Sequence, residues 1–197
     1  MNVCCRDAVL TLSLLVATHP TFAQKTDSPP PAETLALSPS ELSAKVPAAK
    51  PDDVKSANAI VKAAYDVISG PAGPRNWDRL RSLCLPQVRF TQVGKAQDGS
   101  AFVISWGIDD FVRDATDIFS KEPFYENGIV NQDEGYGNMM QILSSYESRR
   151  SPSEKPFQRG INSFQVLNDG KRWWIVSIFW DSERPDNPLP PKFARKP

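Results

Sequence analysis

Three segments of the chain carry apolar residues at the three- and four-residue steps of an amphipathic helix. The first segment spans 54–68, and Gly70 shortly after it favours a helix end. The second follows Asn76, a favourable N-cap residue, and stops before Pro86. The third covers 109–123 and begins with two aspartates, where the helix dipole favours negative charge. Each segment is apolar on one side only, so we expect all three helices to pack on an apolar layer.

The rest of the pattern alternates with the period of two that is typical of strands. Two short runs, 88–93 and 101–105, flank a turn-prone segment and predict a hairpin. Longer alternating runs follow at 125–137, 138–150, 157–168 and 172–183. The Asn-Asp-Gly sequence at 168–170 predicts a two-residue hairpin loop between the last two strands. Helices early and antiparallel strands late predict an α+β protein, with a curved, mostly antiparallel sheet and about three helices on one face.

The final strand is apolar on both faces. Trp173 shares one face with Ile175, whereas Trp174 and Trp180 share the other. In an antiparallel sheet with one face in water, apolar and polar residues alternate along each strand. The final strand does not alternate in this way, so we expect the outer face of this sheet to be covered as well. The simplest cover is a second copy, which predicts a homodimer through the outer sheet face. We expect Trp173 in the interior and the other two tryptophans nearer the subunit contact.

The two ends of the chain differ in composition from its middle. Residues 1–23 combine Arg6, a short apolar run and a small residue at the end, which predicts a cleaved signal peptide and export to the periplasm or beyond. A retained signal anchor is the alternative, although the run is too short to span a bilayer. Residues 24–52 are rich in Pro, Ala and Ser and predict a disordered tether, and 184–197 predict a flexible Pro-rich tail. One domain at 53–183 remains, with no membrane contact after cleavage.

Charge and histidine content exclude several function classes. The net charge is zero and basic residues cluster only in pairs, so no nucleic-acid surface is predicted. The single histidine, His19, lies in the predicted signal, and Cys84 is the one thiol that would remain after cleavage. Without an imidazole, the mature domain has no Ser-His-Asp or Cys-His nucleophile and no histidine-ligated metal. We therefore expect no cofactor and no metal site.

The element order resembles the nuclear transport factor 2-like superfamily, the cone fold shared with ketosteroid isomerase, scytalone dehydratase and polyketide cyclases. The residues that carry the resemblance are NWDRLRSLCLPQVRF at 76–90, NMMQILSSYESR at 138–149 and the closing hairpin at 158–183, and it covers 53–183. It implies a cavity between the concave face of a cone-shaped sheet and the first and third helices. The candidate lining residues are Tyr65, Trp77, Phe90, Gln92, Phe111, Tyr146, Asn162 and Trp173.

The resemblance leaves the activity open. On the ketosteroid isomerase pattern the general base falls on Gln92, which cannot abstract a proton, and the buried donor falls on Asn162. We therefore expect a non-catalytic domain that binds a small hydrophobic molecule or a partner in the cavity. The alternative is a lyase, isomerase or hydrolase that uses a carboxylate and a tyrosine; a two-carboxylate arrangement could draw on Asp181 or Glu147 with Arg149 or Arg159. A buried acidic residue facing the cavity with a raised pKa would favour the enzyme.

Overall fold

The computed structural model describes residues 37–96 and 98–194, in which five α-helices and six strands occur. The helices are α1 Pro39–Ala44, α2 Pro51–Val54, α3 Ala57–Ile68, α4 Trp77–Leu83 and α5 Ile108–Phe119. The strands are β1 Cys84–Lys95, β2 Ala101–Trp106, β3 Tyr125–Tyr136, β4 Met139–Arg149, β5 Gln158–Asn168 and β6 Trp173–Ser182. A short 3₁₀ helix, Pro191–Phe193, follows the last strand. The predicted order of helices, hairpin, helix and four-strand meander is confirmed.

The strands form one curved sheet in the order β2-β1-β6-β5-β4-β3. All neighbours are antiparallel except β1 and β6, which run parallel. Irregularities interrupt the pairing of β3 with β4 and of β5 with β6, and such bulges bend strands and increase their twist. The predicted α+β class with a mostly antiparallel curved sheet is therefore confirmed.

Capping side chains mark where α3 and α4 begin. The predicted helix at 54–68 is divided, because Ser56 adopts an extended conformation and its hydroxyl accepts from the amide of Ala59. Asn76 caps α4 as predicted, accepting from the amide of Arg79 at 2.9 Å. Arg79 also donates to both carboxylate oxygens of Asp53 at 2.7 and 2.8 Å, which ties α4 to α2.

The apolar core lies between α3, α4 and the concave face of the sheet. Burying each large aliphatic or aromatic side chain contributes about 1.5–3 kcal/mol before entropy is subtracted. Its most completely buried members are Ile60, Val61, Leu80, Leu83, Cys84, Val88, Ile142, Phe164, Val166 and Ile175. Cys84 is among them, and burial raises the pKa of its thiol.

The loop between β5 and β6 has four residues, 169–172, so the predicted two-residue loop is wrong. The physical reason is the Asp169 carboxylate, which accepts from the amides of Lys171 and Arg172 at 2.8 and 2.9 Å and closes a wider turn. Its second oxygen accepts from the indole N–H of Trp174 at 2.8 Å. The turn is thus joined to the strand that follows it.

The predicted placement of two tryptophans in β6 is also wrong. An irregularity after Ile175 shifts the alternation of the strand, so Ile178 and Trp180 point to the concave side, opposite Phe164 and Asn162. Trp174 is fully buried instead of lying on an open outer face. Trp173 is partly buried against the core, as expected for an interior residue.

Both predicted flexible ends contain ordered parts. The predicted signal at 1–23, and the tether as far as residue 36, lie outside the described residues. Within the rest of the tether, Ser38 caps α1 with a reciprocal Ser38–Glu41 capping box. In the tail, Phe193 is 3% exposed, and its carbonyl accepts from the Ser145 hydroxyl at 2.8 Å. Burial of this one aromatic ring explains why the tail packs against the outer side of β4 despite its prolines.

Candidate functional site

A cavity of about 320 Å³ lies between α3, α5 and the concave face of the sheet. Its walls are largely aromatic and aliphatic, and its polar atoms come from a few side chains on α3, β1, β3, β4 and β5 and from Arg150, which follows β4. The lining residues are Ala64, Tyr65, Ile68, Leu80, Phe90, Gln92, Phe111, Ile118, Phe119, Phe124, Glu126, Tyr146, Arg150, Phe157, Gln158, Asn162, Phe164, Ile178 and Trp180. The location between the first long helix, the last helix and the sheet is the one the resemblance implied.

Glu126 is the acidic residue of this lining, and it is 9% exposed. It lies near the start of β3, directly opposite Ser148 of β4 in the strand register. The Ser148 hydroxyl donates to Oε2 at 2.7 Å, and the Asn162 side-chain amide donates to Oε1 at 3.2 Å. Neither partner carries a charge, so the carboxyl group is buried with hydrogen bonds but without a counter-ion among them.

Burial therefore controls the protonation of Glu126. Removal from water raises the pKa of Glu126 to about 7, and the hydrogen bonds from Ser148 and Asn162 offset part of that increase. Near neutral pH the protonated and ionised forms are both populated. A carboxyl group in this condition can either donate or accept a proton.

Tyr65 of α3 extends the polar cluster away from Glu126. Its hydroxyl donates to Ser144 Oγ at 2.8 Å and accepts from the Asn162 amide at 3.1 Å. Burial beside Glu126 raises the pKa of Tyr65, so the phenol stays neutral. A Cβ at Gly128 would lie 3.0 Å from the Tyr65 ring and 3.1 Å from Ser144 Oγ, so a larger residue there would have to shift these side chains.

A second polar chain crosses the cavity beside the first. The hydroxyls of Tyr146 and Ser182 lie 3.1 Å apart, and the Gln158 amide donates to Ser182 Oγ at 2.7 Å. Burial raises the pKa of Tyr146 to about 12. The tyrosine is therefore a neutral hydrogen-bonding group at all physiological pH values.

Aromatic rings form the opposite wall. Phe90 of β1 stacks on Phe111 of α5 with ring centroids 4.4 Å apart. Trp180 stacks on Trp106 of β2 at 5.8 Å, nearly parallel to it. Pairs of this kind are typical of sites that take up a flat or aliphatic apolar molecule.

Six of the eight predicted lining residues surround the cavity: Tyr65, Phe90, Gln92, Phe111, Tyr146 and Asn162. Trp77 packs behind the wall instead, 6.1 Å from the ring of Phe119. Trp173 lies at the start of β6 and contacts the core outside the cavity lining. The ligand-binding role of the six stays a prediction.

Glu126 is the residue that sequence reasoning missed. The segment YENG was predicted as the start of a strand, but no face was assigned to it. Its inward direction is visible only once β3 is paired with β4, where Glu126 meets a buried serine. Trp180 was missed for a related reason, since the irregularity in β6 reverses its face.

Within the described residues, no three His, Cys, Asp or Glu side chains are grouped so that they could hold a metal ion. None of the described helices has the length and apolar content needed to cross a membrane.

Comparison with known proteins gives similarity in structure alone. No protein-family profile matches the chain, and no curated protein matches its sequence. The fold is similar to that of an NTF2-like protein of unknown function from Silicibacter pomeroyi, with 15% identity, a TM-score of 0.44, and coverage of 64% of this chain and 92% of that chain. A proposed ketosteroid isomerase from Parabacteroides distasonis is 12% identical, with a TM-score of 0.45 and coverage of 64% and 87%. A proposed dehydratase of the NTF2-like family from Streptomyces avermitilis is 12% identical, with a TM-score of 0.46 and coverage of 68% and 99%.

Proposed function

We propose that the protein binds a small hydrophobic molecule in the cavity between α3, α5 and the sheet. The observation that carries this proposal is a cavity of about 320 Å³ whose walls are mainly apolar and whose inner polar groups, Tyr65, Asn162 and Tyr146 among them, are hydrogen-bonded to other side chains. Binding sites for small molecules have this composition, with apolar walls for affinity and a few polar atoms for orientation. The ligand would place its apolar body against Phe90, Phe111 and Trp180 and one polar atom near Asn162.

A second candidate is a lyase or isomerase that moves a proton on the same molecule. Glu126 favours it, because a buried carboxyl group whose pKa lies near 7 can take a proton from a carbon atom and return it. Gln92, where the base of the ketosteroid isomerase pattern would fall, also lines the cavity but cannot perform that step. The carboxylate–tyrosine pocket of the alternative function would then consist of Glu126, Asn162 and Tyr65.

The test is a screen of small apolar compounds for an increase in the melting temperature of the protein, followed by affinity measurements on the compounds found. Asn162→Ala should weaken binding about tenfold, because a buried polar partner of the ligand is lost. The matched control is Asn138→Ala, which removes an exposed asparagine side chain in the turn between β3 and β4, outside the cavity lining. Equal affinity in the Asn162→Ala variant and the wild type would contradict the pocket assignment.

The same compounds separate binding from proton transfer. Incorporation of deuterium from heavy water into a bound compound, followed by NMR, should occur in the wild type and be lost in Glu126→Gln if the enzyme candidate is right. If the compounds bind but neither protein exchanges deuterium into them, the enzyme candidate is wrong and the binding function stands.

We also propose that the protein forms a homodimer through the outer face of the sheet. The face opposite the cavity carries an area with an uncharged centre, here called the outer patch, and the exposed Arg89 adjoins it beside Ser177. The patch is made of Thr91, Val93, Val103, Ser105, Gln141, Ser163, Gln165, Ser177 and Phe179. Depletion of charge at the centre of a surface is a mark of protein interfaces. Val103 and Phe179 are 66% and 46% exposed there, whereas the tail covers β3 and β4 beside the patch.

Export of the protein is proposed from the sequence of residues 1–23. A mature N-terminus at Gln24, measured by mass spectrometry of the protein outside the cytoplasm, would support it. An intact Met1 on all of the protein would contradict it.

A further inference from the structure

The exposed members of the cavity lining mark where a ligand enters. Ile118 at the end of α5 is 57% exposed and Phe157 before β5 is 50% exposed, whereas Asn162 and Glu126 are 6% and 9% exposed. Arg150, at the end of β4, is also exposed. The mouth of the cavity therefore lies between the end of α5 and the loop that joins β4 to β5.

Arg150 is the cationic side chain among the described residues that line the cavity. Its guanidinium group lies over the Phe157 ring, 4.5 Å from the ring centre, and this contact orients it at the mouth. It also pairs with Glu122 at 2.7 Å and donates to the carbonyl of Pro123 at 3.3 Å.

In the ion pair between Arg150 and Glu122, a ligand anion can replace the glutamate. The two side chains are 42% and 55% exposed, and ion pairs in such surroundings stabilise a protein by about 0–1 kcal/mol. Glu122 can turn out into water without leaving a buried charge behind. A ligand that brings its own anionic group can therefore take its place on Arg150 at little cost.

The polar end inside the cavity suits an anion poorly. Its groups are the carboxyl of Glu126, the hydroxyls of Tyr65 and Tyr146, and the Asn162 amide, which already donates to Tyr65 and Glu126. A negative charge beside the buried carboxyl would be unfavourable. The guanidinium at the mouth instead presents parallel N–H groups that match the two oxygens of a carboxylate.

We propose that Arg150 binds the carboxylate of an amphipathic ligand whose apolar body fills the cavity. This inference rests on the proposed binding function and names the chemical class of its ligand, a small, mainly apolar carboxylic acid. Its carboxylate lies at the mouth, and the polar atom near Asn162 is a second polar group at the inner end of the same molecule. Phe157 covers the guanidinium on one side, and Ile118 and Phe119 meet the first atoms of the apolar body. Glu122 holds Arg150 in the absence of ligand.

Two probes of equal chain length, decanoate and decan-1-ol, test the proposal at about pH 8, where the acid is ionised. Both are titrated into the full chain while tryptophan fluorescence is followed, since Trp180 lines the cavity. The wild type should bind decanoate about tenfold more tightly than the alcohol, because a charge-assisted pair is added. Arg150→Gln should lower the affinity for decanoate about tenfold and leave the affinity for decan-1-ol unchanged.

Two further variants separate the ligand contact from a structural role. Glu122→Gln removes the competing carboxylate and should increase the affinity for decanoate, an effect that damage to the fold would not produce. The matched control is Arg113→Gln, which removes an exposed arginine that pairs with Asp110 and Asp114 on α5, outside the cavity lining, and should change neither affinity.

The outcomes distinguish this inference from the function on which it rests. If decan-1-ol binds and decanoate binds no more tightly, or if Arg150→Gln and Glu122→Gln bind decanoate like the wild type, the carboxylate assignment is wrong and the apolar cavity stands. If neither probe binds the wild type, the proposal fails together with the apolar binding function. Circular dichroism of each variant confirms that it is folded.

Discussion

At the scale of single residues, Glu126 makes the stability of the protein depend on pH. Its pKa is raised from 4.5 in the unfolded chain to about 7 in the fold, so the folded state binds more protons between these values. The stabilisation that Glu126 contributes is fully present below its pKa of 4.5 in the unfolded chain. It is lost as the pH rises through about 7, the pKa of Glu126 in the folded protein. We expect the free energy of unfolding to fall between about pH 5 and pH 8 by on the order of 3 kcal/mol.

Urea unfolding of the wild type and Glu126→Gln at the two pH values checks this expectation. The amide cannot ionise, so most of the decrease should disappear in the variant. Glu122→Gln, which changes an exposed carboxylate, should keep the decrease of the wild type. The interpretation of Glu126 as a group that titrates near neutrality fails if wild type and Glu126→Gln show the same dependence on pH.

The single residues that could be predicted from sequence are those whose direction a helix or a regular strand fixes. Tyr65 follows from the apolar stripe of α3. Asn162 was placed by the ketosteroid isomerase pattern, and the regular alternation of burial along β5 puts it on the inner face. Glu126 could not be predicted, since its burial depends on its pairing with β4 and on Ser148 and Asn162, which are far away in the sequence. Acidic side chains are usually exposed, so the residue type alone argued against the burial of Glu126.

At the scale of elements, the loop between β5 and β6 depends on one side chain. The Asp169 carboxylate accepts from two loop amides and from the buried Trp174 indole, and these contacts lower the pKa of Asp169 against the effect of burial. Asp169→Ala should destabilise the protein by about 2–3 kcal/mol, because a buried indole N–H loses its acceptor.

Urea unfolding at neutral pH measures this effect. Asn168→Ala is the matched control, since that side chain accepts from the amide of Gly170 alone in the same loop, and its loss should cost about 1 kcal/mol or less. Asp169→Asn keeps one acceptor oxygen and should recover part of the stability. Equal losses for Asp169→Ala and Asn168→Ala would show that the carboxylate does not hold the loop.

Elements were predicted better than their junctions. All six strands and three of the helices lie where periodicity placed them, because one-sided burial imposes the period on the sequence. The division of the first helix at Ser56 and the width of the 169–172 loop depend on individual hydrogen bonds instead. Such contacts leave no periodic signal.

At the scale of the whole molecule, the fold class follows from the order of elements, but the coverage of the outer sheet face does not. Prolines in the tail predicted flexibility, yet Phe193 anchors it over β3 and β4. This leaves the outer patch, with Phe179 near its centre, as the open part of that face. A two-fold contact there would bring the Phe179 rings of two copies close together.

Phe179→Arg should therefore convert a dimer to a monomer, because two like charges would be buried in the same contact. Sedimentation velocity at micromolar concentrations should give a dimer for the wild type and a monomer for this variant. Tyr136→Arg places the same charge at an 82% exposed position at the end of β3 and should remain dimeric. A wild type that sediments as a monomer throughout, or a Phe179→Arg variant that stays dimeric, would show that the outer patch is not the subunit contact.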